Sequence, residues 1–141
     1  MKLLIPIDDS EPSRHACQLA AQLAQEMADI EVVLLNVRSQ PEDYGGLALL
    51  EHDLFDRSLR EGQQRLLAVA LEHAQRAGLT KVTIHAAQGA PAEEIVRVAK
   101  EKGVEQILMG THGRGTVGMF FMGSVAQRVA HLAPMPVTLV K

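Results

Sequence analysis

Five short apolar runs punctuate the chain, and stretches with helical periodicity separate them. The runs are Lys2 to Asp8 (KLLIPID), Ile30 to Val37 (IEVVLLNV), Lys81 to Ala87 (KVTIHAA), Glu105 to Met109 (EQILM) and Pro136 to Val140 (PVTLV). Nearly continuous apolar runs of this length read as strands buried on both faces of a parallel sheet. The third run instead alternates, with Val82, Ile84 and Ala86 on one side, which places it near a sheet edge. Strands alternating with helices require a parallel sheet covered on both faces. Right-handed crossovers then make the architecture doubly wound, α/β and Rossmann-like, and its ligands bind outside the strand C-termini.

The helices are expected from Glu11 to about Ala28, from about Leu49 to Ala77, from Gly89-Ala90-Pro91 to about Lys102, and from about Gly123 to Leu132. In the first, Ala16, Leu19, Ala20, Leu23 and Met27 recur at helical spacing. Ser10 is placed to cap it, with Pro12 inside its first turn. The inward stripe of the second runs through Leu59, Leu66, Val69, Ala70 and Ala74, and Gly78 stops it. Ile95, Val98 and Ala99 face inward from the third, which Gly103 closes. Pro6 removes a ladder donor and so belongs at the C-terminal rim of its strand. Ser39 to Leu50 holds Pro41, Tyr44, Gly45 and Gly46 and reads as a loop.

The chemistry-bearing stretch is Gly110 to Val125, GTHGRGTVGMFFMGSV, which leads from the fourth strand into the last helix. Its spacing is Gly110-x2-Gly113-x9-Gly123-Ser124. A glycine-rich loop from strand to helix presents bare backbone N–H groups and a helix N-terminus, both suited to phosphate. Gly113 lets backbone approach an anion without a Cβ in the way. Gly123, Ser124 and Val125 supply N-terminal amides, and the Ser124 hydroxyl is a further donor. Arg114 is the permanent cation of the loop, unless it is simply solvated. His112 reads equally well as a ribose or phosphate contact and as a surface histidine. Asp8, at the rim of the first strand, is placed to accept from an adenine amine or a ribose hydroxyl; the competing role is a charge at the first helix N-terminus, which falls better to Asp9. Val37 ends the second strand and flanks a base, or is ordinary core.

Other chemistries lack their residues. There is no GxxxxGK[ST] and so no lysine for β/γ-phosphates, and DDSEPS stands where a GxGxxG dinucleotide turn would be. The histidines outside the loop show no HxxxH or HExxH spacing, so a protein-built metal site is not expected, and any Mg²⁺ would enter through the phosphates. No GxSxG is present, and Cys17 lies mid-helix with no recognisable catalytic partner. Met109, Met119 and Met122 with Phe120 and Phe121 read as apolar packing over the loop, or as a lid or partner contact. At 141 residues the chain is one domain, 1–141, and its net charge of −3 and pI near 6.0 give no support to nucleic-acid binding. No run is long enough to span a membrane, nothing resembles a signal peptide, and the single cysteine cannot form an intrachain disulfide, so the expected location is the cytoplasm.

These residues together resemble the universal stress protein family over nearly the whole chain. LLIPIDDS is similar to that family's first strand and acidic turn, although the commoner form has glycine where Asp9 stands. LLNV, GAPAEEI and MGTHGRG…MGSVAQRV…PMPVTLVK are similar to its second strand, third helix start and last third. The Gly-x2-Gly-x9-Gly-Ser element marks the ATP-binding branch. The resemblance implies strand order 3-2-1-4-5, with a crevice between the first and fourth strands. It implies ATP or a related adenine nucleotide there, with Pro6, Asp8 and Val37 at the base and Met109 and Gly110 at the ribose. Gly113, Arg114, Gly123, Ser124 and Val125 would then meet the phosphates. It also implies a homodimer paired through Val137 to Val140, a pairing that an apolar edge strand guarded by Lys141 alone would itself invite. The expected function is nucleotide binding without turnover in a regulatory stress protein. The competing readings are a slow Mg²⁺-dependent ATPase or phosphotransferase, using Asp8 or Asp9, and a nucleotide-free dimeric interaction module.

Overall fold

The structure, a computed structural model, describes residues 1–39, 49–113 and 122–141. Arg114, the stretch 40–48 of the expected loop, and Met119, Phe120 and Phe121 lie outside the described residues. In chain order the elements are β1 (Lys2–Pro6), α1 (Glu11–Glu26), β2 (Glu31–Arg38), α2 (Leu49–Arg76), β3 (Lys81–Gln88), α3 (Pro91–Glu101), β4 (Gln106–Gly110), α4 (Ser124–Leu132) and β5 (Val137–Val140). The strands form one sheet in the order β3-β2-β1-β4-β5, and every neighbouring pair is parallel. This is the doubly wound order expected, with β3 at one edge and β5 at the other.

Alternation along each strand sends successive side chains to opposite faces. Leu3 and Ile5 therefore join Val32, Leu34 and Leu108 beneath α1 and α2. Leu4 joins Leu35, Ile107 and Met109 beneath α3 and α4. Both helix stops that depend on glycine are built alike. After α2, Gly78 stands at φ 104, its N–H donates to the Gln75 carbonyl at 3.0 Å, and the Leu79 N–H reaches the Ala74 carbonyl at 3.1 Å. After α3, Gly103 stands at φ 64 with bonds to Lys100 and Ala99 in the same pattern. These paired bonds satisfy carbonyls that the helix would otherwise leave open, and the left-handed residue favours glycine.

β1 ends at Pro6 and Asp8 lies in the turn, both as expected, and the Ile7 N–H just past the strand still donates to the Leu35 carbonyl at 2.7 Å. Two details depart from expectation. α1 stops at Glu26, which leaves Met27 as its C-cap and 40% exposed rather than in the core stripe. The stripe of α2 keeps the expected Leu66, Ala70 and Ala74 against the core, gains Leu67, which is wholly buried, and loses Val69, which is 50% exposed. A polar side chain ties this helix to the sheet. Gln63 is buried, and its Nε2 donates toward the Asn36 carbonyl at 2.9 Å, Asn36 Oδ1 at 3.0 Å and the Ala87 carbonyl at 2.9 Å. These acceptors sit near the ends of β2 and β3, so the part of α2 before Gln63 extends past the sheet rim. There Arg38 at the end of β2 holds it, donating to Asp56 Oδ1 at 2.8 Å and to Gln88 Oε1 at 3.0 Å.

Candidate functional site

β1 and β4 are neighbours in the sheet, yet the connections that leave them run to opposite faces. α1 follows β1 onto one face and α4 follows β4 onto the other, and this divergence opens a crevice at the strand C-termini. The crevice has a volume of about 280 Å³. Of the residues singled out from the sequence, Pro6, Asp8, Val37, Met109, Gly110 and His112 line it together. So do Gly113, Gly123, Ser124 and Val125. Arg114 lies outside the described residues.

The turn from β1 to α1 divides its two acids between opposite sides. Asp8 Oδ1 accepts the Ser10 N–H at 3.0 Å, which fixes the carboxylate at the crevice wall. Ser10 caps α1, its hydroxyl oxygen accepting the Ser13 N–H at 3.3 Å, and the Ser13 hydroxyl donates back to the Ser10 carbonyl at 2.9 Å. Asp9 stands at φ 64. That is the left-handed conformation in which glycine is unstrained and Asp is among the better-tolerated alternatives. The Asp9 carboxylate turns away from the crevice and pairs with Arg14 at 3.1 Å. The acid that bonds a backbone N–H at the helix start is therefore Asp8, and the Asp9 carboxylate is engaged by Arg14 instead.

The ends of the glycine loop are drawn together at Thr111. Its carbonyl accepts the Gly123 N–H at 2.6 Å, and its own N–H donates to the Val140 carbonyl at 2.8 Å. The Gly123 amide is therefore already used, which corrects its expected role as a phosphate donor. The first-turn amides of Ser124, Val125 and Ala126 remain without intrahelical acceptors. The glycines are also required by close approach. A Cβ on Gly113 would stand 2.6 Å from Asp8 Oδ2, and one on Gly110 would stand 2.6 Å from the Cβ of Pro12. Gly113 thus admits the Asp8 carboxylate, a role different from the approach to an anion inferred for it. A Cβ on Gly123 would press to 3.2 Å from the Cα of His112, whose ring Nδ1 lies 3.1 Å from Thr111 Oγ1.

Chemically the crevice combines a fixed carboxylate acceptor, a helix N-terminus, and apolar walls from Val37, Ile95, Pro91 and Met109. Among the described residues that line it there is no lysine or arginine. Nor do the described residues gather three or more His, Cys, Asp or Glu side chains as a metal site. Sequence reading missed Asn36, Ser13, Pro91, Ile95 and Ala126. Asn36 had a signal, being a lone amide in an apolar strand, and its Nδ2 donates to the Ile7 carbonyl at 2.5 Å. Pro91 and Ile95 had none, because only the sheet order brings the start of α3 beside the end of β2 at the crevice.

The chain matches the model of the universal stress protein family over residues 1–141. Universal stress protein MJ0531 of Methanocaldococcus jannaschii is 34% identical over 140 residues, covering 99% of this chain and 81% of that protein. Among solved structures, hypothetical protein MJ0577 superposes with a TM-score of 0.80 at 30% identity, covering 99% of this chain and 94% of that one; it is a universal stress protein of the same archaeon. The universal stress protein from Archaeoglobus fulgidus in complex with dAMP shares the fold, with a TM-score of 0.68 at 22% identity over 100% of this chain and 98% of that one. A match that runs the full length and carries the same sheet order leaves one assignment: the chain belongs to the universal stress protein family.

Proposed function

We propose that the crevice binds an adenine nucleotide, ATP or a close relative, and that the protein works as a homodimeric regulator that holds the nucleotide rather than turning it over. The observation that carries this reading is the meeting of Asp8, Val37, Gly113 and the α4 N-terminus in one crevice at the switch point of the sheet. Asp8 is suited to accept from the base or ribose, Val37 and Ile95 to pack on the base, and the Ser124 to Ala126 amides to receive phosphate. The described cavity is at the small end of ligand sites, which commonly hold about 300–1,000 Å³, and so suits the nucleoside part. A family relative of the same fold binds dAMP, which supports an adenine ligand. Any Mg²⁺ would enter with the phosphates. Asp8 is the only carboxylate lining the crevice among the described residues, and the Ser10 amide already holds one of its oxygens. That environment favours binding over general-base chemistry.

Calorimetry with ATP, ADP, AMP and cAMP tests the reading. One nucleotide per chain is expected, with Asp8→Ala weakening it about tenfold or more, the size of a lost charged hydrogen bond. No heat of binding at millimolar nucleotide would overturn it. Multiple turnovers of ATP by the wild type, abolished in Asp8→Asn, would establish the slow ATPase instead. Asp9→Asn is the companion variant: the Asp9 carboxylate pairs with Arg14 at 3.1 Å outside the crevice lining, so its loss should leave any turnover in place.

A further inference from the structure

On the opposite face of the sheet, α1 and α2 part to leave a second cavity of about 390 Å³. Its middle is apolar, formed by Cys17 on α1 and by Leu66, Val69 and Ala70 on α2. Cys17, Leu66 and Ala70 are half-buried, and Val69 is 50% exposed. The volume is that of a small-molecule site. It shares only Ile7 and Ser13 with the nucleotide crevice.

The charge around this groove is unbalanced. Arg14, Arg65 and His73 line it against one carboxylate, Asp9, and that carboxylate is already paired with Arg14. The Arg65 and His73 side chains have no hydrogen-bond or ion-pair partner among the described residues. Arg65, Val69 and His73 repeat every four residues, so they form one stripe along α2. Arg65 lies at the rim end, two residues beyond the Gln63 amide that bonds near the ends of β2 and β3. A permanent cation at one end of an apolar trough is complementary to a single-chain anion. We propose that the α1–α2 groove binds a free medium-chain fatty acid, its carboxylate at Arg65 and its chain along Leu66, Val69, Ala70 and Cys17. The site stands independently of the nucleotide reading.

Titration of the full chain with decanoate below its micellar range, with decanol as the uncharged control, tests this by calorimetry. Saturable uptake of one decanoate per chain is expected. Arg65→Gln should weaken decanoate about three- to fivefold, as for an exposed ion pair, and leave decanol unchanged. Val69→Gln should weaken both. Neither variant should alter ATP affinity, because neither residue lines the crevice, so failure here and failure of the nucleotide site are separate results. Absence of saturable decanoate binding, or an Arg65→Gln variant that binds decanoate as the wild type does, overturns the proposal. So does sedimentation in which Val69→Gln alone converts a dimer to monomers while decanoate does not bind, since a second copy would then cover the groove.

Discussion

Cys17 shows how one residue's chemistry follows from what surrounds it. Sequence placed it mid-helix without a partner, and the fold puts it between α1 and α2, where burial pushes its thiol up to about 11. The thiolate is the reactive form, and a free cysteine ionises near about 8.5. Alkylation of Cys17 by iodoacetamide at pH 8 is therefore expected to run about a hundredfold slower than for free cysteine, and mass spectrometry over time measures it. A rate near that of the free thiol would contradict the burial. At this scale the acids of the β1–α1 turn were only partly legible. Asp8 was placed at the rim by the end of an apolar run, which is a local signal. The direction of Asp9 depends on a left-handed φ of 64 and on Arg14 five residues later, a pairing that apolar periodicity does not encode.

Among the elements, α2 was read with the right extent, and Leu66, Ala70 and Ala74 pack on the core as expected. Val69 was misplaced and Leu67 missed, the one being 50% exposed and the other wholly buried. Gln63, one turn before Leu67, is buried on the same side and is a polar residue that a hydrophobic pattern discards. Gln63→Leu leaves the Asn36 and Ala87 carbonyls without this donor and should cost about 1–3 kcal/mol, read as a lower urea midpoint at unchanged slope. The same helix carries a pH signature. The Arg38 guanidinium hydrogen-bonded to Asp56 holds that carboxyl below the usual range. A folded-state value below the unfolded one, about 3.9 for Asp, means that the stabilisation is full above that value and is lost as pH falls through the folded one. The stability gap between wild type and Asp56→Asn should thus be constant near neutrality and shrink as pH drops below about 4. Urea titrations at several pH values measure it, and a gap that widens in acid would contradict the pairing.

For the molecule as a whole, alternation of strand and helix was enough to dictate the layers, because helices on both sides bury both faces of the apolar central strands β2, β1 and β4. The crevice followed from the same logic, yet its far wall from α3 could not be read locally. The remaining whole-molecule feature is the β5 edge. The Pro136 and Val140 carbonyls face inward, accepting from Ile107 at 3.0 Å and Thr111 at 2.8 Å. By strand alternation, Val137 and Leu139 turn their N–H and C=O groups outward, where no partner stands among the described residues. An open edge of this kind is a template for antiparallel pairing with a second copy about a two-fold axis, which is the pairing proposed for the homodimer. Leu139→Pro removes one outward donor while leaving the ladder to β4 intact, as proline is tolerated on edge strands. Leu139 also packs on the α3–α4 core, so some loss of melting temperature is expected alongside the change in assembly. Sedimentation should show a dimer for the wild type and a monomer for Leu139→Pro, with far-ultraviolet circular dichroism confirming that the variant is folded. A folded variant that remains dimeric would place the interface on another surface, and the exposed β3 edge would then be the next strand to test.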